Sequence, residues 1–463
     1  MFATLCGLIP PDRDYPERTN RLDILSRVLE GTLYDALPFE FHEERGANGD
    51  YIPLRLRRPS VRYPMARIIV DDSLALVFSD GHFPTFDCPD LAVRSALAAI
   101  VRDAGLNQAM QEAALRGSVG SVAILLRVLK GRVFFAVLQT RYLTPSWDPQ
   151  APDQLISVTE KYKVQGSQLA EIGYEVADPS MQYWFMRRWD NDAEIWYTPW
   201  PVAHPAPPEI DTARTVRHGL GFVPLVWVRN LPGGDGIDGG CTFRSAIETN
   251  IEIDYQLSQA GRGLKYSSDP TLLIREPAFA DNEIIRGGGN ALVVTEKGDA
   301  KLLEIGGTAA AAVIDYVRTL REFALEGVHA NRASPERLSG AQSGRALELM
   351  NQGLIWLADN LRVSYGRAML QIARMVVLAS NRYQLHADGD ALDPMDPRIR
   401  ITLSWPRWYA PASQDRLSDA QTLQTLVQAK LLSRETAVKS IADIYPIDDV
   451  PAELSRIDSE EIQ

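Results

Sequence analysis

Gly234-Asp235-Gly236-Ile237-Asp238-Gly239 matches GxGxxG and lies between a strand-like run and a helix-like run, the setting in which such glycines can serve a dinucleotide. In that role they let backbone amides at a helix N-terminus close on a pyrophosphate. Here Asp235 and Asp238 put two carboxylates inside the loop, where their charge opposes a phosphate, and no alternating βαβ pattern surrounds them. The stretch therefore reads as a flexible linker into the helix that follows. Arg286-Gly287-Gly288-Gly289 fails in a similar way as a phosphate cradle, because Gly-Lys-Ser/Thr occurs nowhere in the chain.

The other chemistry-bearing residues fail on spacing. His42, His82, His204, His218, His329 and His386 form no HExxH or other metal-ligand pattern, and no GxSxG nucleophile elbow is present. Asp388, Asp390, Asp393 and Asp396 could gather calcium, but the EF-hand glycine and closing glutamate are missing, so they read as a solvated acidic loop. Cys6, Cys88 and Cys241 are odd in number and lack CxxC spacing, which indicates buried small side chains rather than disulfides or a zinc site. The expectation is a protein that is not an enzyme, with no catalytic, cofactor-binding or metal-binding residues and no cofactor.

Composition narrows the classes further. The 463 residues suffice for two to four regions, and 45% hydrophobic with 23% charged content is that of a folded protein of mixed class. A net charge of −12 excludes a broad basic face for nucleic acid, while leaving room for brief contact with DNA. No apolar run approaches the roughly 18 residues of a membrane span, and MFATLCGLIPPDRD lacks a basic n-region, so a soluble, cytoplasm-made protein without membrane partners is expected.

The element that organises the rest is the run from Ser343 to about Asn381. Leu347, Met350, Leu354, Leu357, Leu361, Tyr365, Met369, Ile372 and Val376 recur at steps of three and four, which predicts one long helix capped by Ser343. It would reach roughly 55 Å. Gly353 and Gly366 inside it suggest places where another backbone comes close.

Taken in order, 21–37 is helical and ends near Gly31, 64–78 is helical behind Pro64, and 90–115 is two helices broken at Gly105. After Ser121 the chain turns β: a hairpin about Lys130-Gly131, a strand at ISVTEKYKV, and a strand pair about Asn191-Asp192. The proline-rich 199–208 reads as extended loop and 223–229 as a strand, followed by a helix over 242–266. An insert at 267–306 holds TLLIR, ALVVT, a turn at 286–290 and a further pair at KLLEI. Then come a helix at 309–327, a polar loop, the long helix, a strand at 398–405 and a helical tail from about Gln414.

This ordered set resembles the portal proteins of tailed double-stranded-DNA bacteriophages. The resemblance rests on LEGTLYDAL with YIPLR, Ala114 to Ser121, GFVPLVWVRN with the helix 242–266, Ser343-Gly344-Arg345-Ala346-Leu347, and Ala429 to Ala437 before an acidic tail. It implies an α+β, portal-like fold. Residues 1–230 with the returning strand 398–405 would be a mixed α/β wing, 241–266 and 308–328 a two-helix stem, and 267–306 a small β-containing clip. The channel loop would be 329–343, the long spine helix 343–384 and the helical crown 410–463.

The resemblance also implies a ring of about twelve subunits at the virion portal vertex, assembled in the host cytoplasm, through which DNA is packaged and ejected. Its partners would be further copies of itself, the terminase large subunit, a head-completion or adaptor protein, and the major capsid and scaffolding proteins. Double-stranded DNA would be touched transiently and without sequence preference by His329, Arg332, Arg337 and Arg345. Clip docking would use Arg275, Glu276, Arg286, Asn290, Glu296 and Lys297. The rival readings are an enzyme with an unrecognised site and a capsid scaffold or adaptor without a pore. For 329–345 the rival is a solvated connector.

Overall fold

Helical periodicity dominates the first 120 residues, and local stop signals divide it. The computed structural model describes residues 1–203, 207–268, 271–277, 294–303, 308–330, 348–409, 413–442, 445, 447 and 450–460. The chain has two units: Met1–Asn331 with Trp356–Pro406, and Arg332–Ile355 with Arg407–Gln463. The first begins with α1 (Phe2–Leu8), α2 (Glu17–Glu30), α3 (Met65–Phe78), β1 (Thr85–Asp87), α4 (Leu91–Asp103) and α5 (Leu106–Gly117). Gly31, at φ +73°, ends α2 in the left-handed conformation that glycine enters without a Cβ penalty. Asp90 caps α4 by accepting the amides of Ala92 and Val93.

Next come β2 (Ser121–Leu129) and β3 (Arg132–Gln139), joined by Lys130 and Gly131, both at positive φ as a two-residue hairpin requires. They are followed by β4 (Leu143–Trp147), β5 (Leu155–Gln165), α6 (Gly166–Glu171), β6 (Gln182–Trp189), β7 (Ala193–Trp196), β8 (Trp200–Pro201), β9 (Val216–Arg217) and β10 (Leu225–Arg229). One antiparallel sheet runs β10-β2-β3; the other runs β4-β5-β6-β7-β9, with β8 beside β6. The proline-rich stretch is thus not wholly loop, since Trp200 pairs with Trp184 and Pro201 with Tyr183.

Strand alternation sends Ala123, Leu125, Leu225 and Trp227 toward Leu143, Val158 and Trp189 of the other sheet, forming one core cluster. The alternate residues Val122, Ile124 and Leu126 are also buried, and α5 packs against this sheet. Both faces of β2 are therefore apolar.

The chain continues with α7 (Ile247–Ser268), β11 (Thr271–Pro277), β12 (Val294–Leu303), α8 (Thr308–Gly327), α9 (Gln352–Ser380), β13 (His386–Ala387), β14 (Asp390–Ala391) and β15 (Thr402–Ser404). The insert differs from expectation: β12 runs unbroken through Lys297-Gly298-Asp299, and its KLL end pairs with TLLIR itself. The expected turn at 286–290 lies outside the described residues. The acidic stretch is a small ladder, His386 with Ala391 and Ala387 with Asp390.

The long helix is shorter than expected. Residues 348–350 are helical, a turn falls at Asn351, and α9 then runs unbroken; the expected cap at Ser343 lies outside the described residues. The stripe within α9 is buried as its spacing predicts, from Leu354 through Tyr365 to Val376. The Tyr365 hydroxyl donates to Asn230 Oδ1 at 3.3 Å and sits against Gly117, while Phe78 meets the Tyr365 ring edge-on at 5.8 Å. Gly366 accommodates the Trp405 indole rather than a neighbouring backbone. The strand expected at 398–405 is narrower, and β15 pairs antiparallel with β1.

The second unit ends in α10 (Ser413–Gln428), α11 (Arg434–Ile441) and α12 (Val450–Glu460). Ser433 caps α11 through the amide of Thr436. Among the described residues of these three helices, Val438 is the buried side chain.

Candidate functional site

The helix pair α7 and α8, with the β11–β12 hairpin between them in sequence, carries those expected site residues that the structure describes. His329 follows α8 at φ +57°, exposed, with its imidazole edge-on to Trp356 at 6.0 Å. Arg332, Arg337, Arg345, Arg286 and Asn290 lie outside the described residues. Arg275, Glu276, Glu296 and Lys297 gather at the outer end of the hairpin. Register passes from Arg275↔Asp299 to Pro277↔Val294, so residues 295–298 bulge opposite Glu276. Arg275 and Lys297 are exposed there. The 20 residues of α8 span roughly 30 Å, and His329 and the hairpin follow opposite ends of that helix.

The base of α7 is fixed by polar contacts with the segment 57–63. The Tyr255 hydroxyl donates to the Arg57 carbonyl at 2.9 Å, and the Ser258 hydroxyl accepts from the Val61 amide at 3.0 Å. Asp254 accepts from the Tyr63 amide at 2.6 Å, the Tyr34 hydroxyl at 2.6 Å and Asn250 Nδ2 at 2.9 Å. Burial pushes the Asp254 carboxyl up to about 6, against the pull of those three donors. It also pushes the Tyr34 hydroxyl up, and the adjacent Asp254 adds to the shift. Arg57 itself is buried, donating to the Phe41 carbonyl and the Tyr51 hydroxyl and lying against both rings.

The glycine loop before α7 is a staple, not the flexible linker expected from its composition. Asp238 is 3% exposed. It takes a bidentate pair from Arg18, Nε to Oδ2 at 2.8 Å and Nη2 to Oδ1 at 2.7 Å. Arg21 Nη2 donates to Oδ2 at 3.0 Å and the Ser121 hydroxyl to Oδ1 at 2.5 Å. Arg18 Nη1 reaches the carbonyls of Thr140 and Leu143, tying α2 to the connection between β3 and β4. Burial would raise Asp235, but the amides of Asp238 and Ile237 with Arg21 outweigh it and hold that carboxyl at about 2. The glycine spacing follows from the loop doubling back. A Cβ on Gly234 would strike the Asp238 carbonyl, and one on Gly239 would lie 2.6 Å from the Asn230 amide.

These acids are spent on arginines and amides, which is a structural arrangement rather than a catalytic one. Among the described residues no group of three His, Cys, Asp or Glu side chains is placed to hold a metal ion, and no helix is long and apolar enough to cross a membrane. Cys88 is buried, whereas Cys6 and Cys241 are only partly so as residues, a departure from the expectation for all three. Burial still pushes the Cys241 thiol up to about 12.

Two of these networks have signals in the sequence that motif reading passes over. Ile247, Ile251, Asp254 and Ser258 share one helical stripe, so two polar residues stand where a buried face needs hydrogen-bond partners. Arg18 and Arg21 lie on one face of α2, three residues apart, but nothing local pairs them with Asp238 more than 200 residues away.

The family model described as Phage portal protein, SPP1 Gp6-like, matches residues 13–463, nearly the whole chain. Comparison with curated proteins finds no match.

Proposed function

We propose a use for each part of a chain that belongs to the phage portal proteins of the SPP1 Gp6-like family. As a portal protein it is a structural component of the virion at a capsid vertex, assembling with copies of itself and associating with capsid and terminase. In our reading residues 1–230 and the strand near 398–405 serve as wing, α7 and α8 as stem, and the β11–β12 region as clip. The loop after His329 is the channel loop, α9 the spine and α10 to α12 the crown. The chain carries no chemistry of its own; it encircles DNA and presents its clip to the terminase large subunit and to head-completion proteins.

The observation that carries this reading is the bareness of α8. No residue from 311 to 323 is buried, and Ile314, Tyr316 and Phe323 are exposed. A helix with an uncovered apolar face in a self-assembling chain supports head-to-tail packing against neighbouring subunits, which closes into a ring. Native mass spectrometry and negative-stain imaging test this. The expected result is a closed ring of about twelve subunits, lost when Tyr316→Asp and Phe323→Asp are combined. A parent protein that stays monomeric at micromolar concentration overturns it.

For the channel loop, Arg332 and Arg337 would touch passing phosphates. Few cations within an acidic chain hold DNA weakly enough to let it move. Replacing both by alanine is expected to leave rings intact and lower the DNA packaged or retained; full-length packaging by that variant would make the loop a connector.

A further inference from the structure

The two sheets enclose a cleft that neither the ring nor the channel explains. It holds about 430 Å³, within the size range of ligand clefts, and it opens beside β9, the last strand of its sheet. Leu126, Trp189, Trp196 and Leu220 supply apolar walls, and Arg127, Arg214 and Arg217 supply charge against one carboxylate, Glu194. That carboxylate is already engaged by Arg127 Nη2 at 2.7 Å and Arg187 Nη1 at 3.6 Å. Arg217 has a looser partner, Asp192 at 3.8 Å, while Arg214 lies over the Tyr174 ring, donates to the Gly173 carbonyl at 2.6 Å and faces Asp211 at 3.6 Å.

We propose that this cleft docks an extended segment of another virion protein, one with a bulky apolar side chain close to an Asp or Glu. Two features select that occupant. The lining carries more guanidinium than carboxylate, which favours an acidic partner. Val216 of β9 is 57% exposed and the Arg217 side chain 86%, and no described strand pairs with the outer side of β9. A strand end of this kind accepts an added extended chain, whose alternate side chains then enter the adjoining cavity. His218, also lining the cleft, has both ring nitrogens engaged, by the Asp190 carbonyl and the Leu220 amide, and burial lowers its pKa. The attraction therefore rests on the arginines. Family membership places capsid proteins within reach of the chain; resting on that reading, we take another virion protein as the occupant, and a second copy is an outcome of the test.

The test is photo-crosslinking in assembled particles, with a benzophenone amino acid replacing Leu129 or, separately, Val216, both exposed residues lining the cleft. Leu91, exposed at the start of α4, is the control position. Adducts to another virion protein are expected from the first two positions and not from the control. The linked segment should carry an acid within about two residues of a large apolar side chain, the strand period. Arg217→Glu, at a site exposed enough to leave folding intact, should cut the adduct about tenfold. Adducts to a second copy of this chain, to a segment without an acid, or in amounts that Arg217→Glu leaves unchanged overturn the proposal, as does a lack of adducts from rings that assemble normally.

Discussion

Removing the Asp238 carboxylate tests whether the glycine loop is a staple. Asp238→Ala deletes four hydrogen bonds and leaves Arg18, 15% exposed, without its counter-charge. Breaking a buried pair from one side costs about 3–5 kcal/mol, because the remaining charge stays desolvated. Arg18 keeps the carbonyls of Thr140 and Leu143 and its place over the Trp227 ring, which puts the loss near the lower end, about 3 kcal/mol. Unfolding entropy for a unit of this size is roughly 0.8 kcal/mol per degree, so the expected fall in Tm is about 4 °C.

The assay is thermal unfolding at one fixed protein concentration, since assembly makes Tm concentration-dependent. Arg18→Ala and the double variant complete the cycle. Because each single change destroys the same interaction, the double should cost little more than either one, giving a coupling of about 2 kcal/mol. A fall below about 1 °C for Asp238→Ala, or two single effects that simply add, would refute the claim that this pair holds α2 to the loop.

Further expectations follow from single contacts. Asp254 titrates near 6 in the fold against 3.8 as its ordinary value, so the fold binds the extra proton between those values and stability declines as pH rises across that window. The decline is about 3 kcal/mol, and Asp254→Asn should abolish it in pH-dependent denaturant melts. Gly131→Ala forces a Cβ at φ +80° and toward the Gln384 carbonyl at 2.6 Å, and should cost about 2 kcal/mol by the same melts. Gly117→Ala collides with the Tyr365 hydroxyl and presses on Val122 Cγ1 at 3.0 Å, so adding Tyr365→Phe, which relieves the first contact only, should recover part of the lost Tm.

Where a residue's own backbone preference decides the outcome, the sequence was readable. Gly31, Gly105 and Lys130-Gly131 each sit where the chain must enter positive φ, and each ends or turns an element where expected. Where a distant partner decides, reading failed. KLLEI looks like part of a further strand pair until TLLIR lies beside its KLL end, and Gly234 to Gly239 looks like a linker until Arg18 reaches Asp238. The long stripe over-ran its helix because apolar spacing continues through Met350, whereas the turn at Asn351 has no glycine or proline to announce it. For the expected channel residues, only His329 lies among those described, so their use is a matter for the packaging experiment.

Polar anchorage and apolar bareness are distributed unequally along the α7–α8 pair. At the base, Asp254, Tyr255 and Ser258 spend their hydrogen bonds on residues 57–63 and on Tyr34, and Ile247, Ile251 and Ile253 are buried. Toward the hairpin, Leu264 of α7 and Ile314 and Tyr316 of α8 are exposed. A pair stabilised only by its own chain would be expected to spread burial along its length, since an apolar residue left in water forgoes about 1.5–3 kcal/mol. Concentrating the fixed contacts at one end leaves the other end with a surface that a neighbour can cover. On this account a change at the base, such as Tyr255→Phe, lowers the stability of each subunit, whereas a change such as Tyr316→Asp acts on assembly and leaves the subunit folded. Circular dichroism of the Tyr316→Asp protein checks the difference: a subunit that has lost its native helix content would mean that α8 is needed for folding and not merely offered to a neighbour.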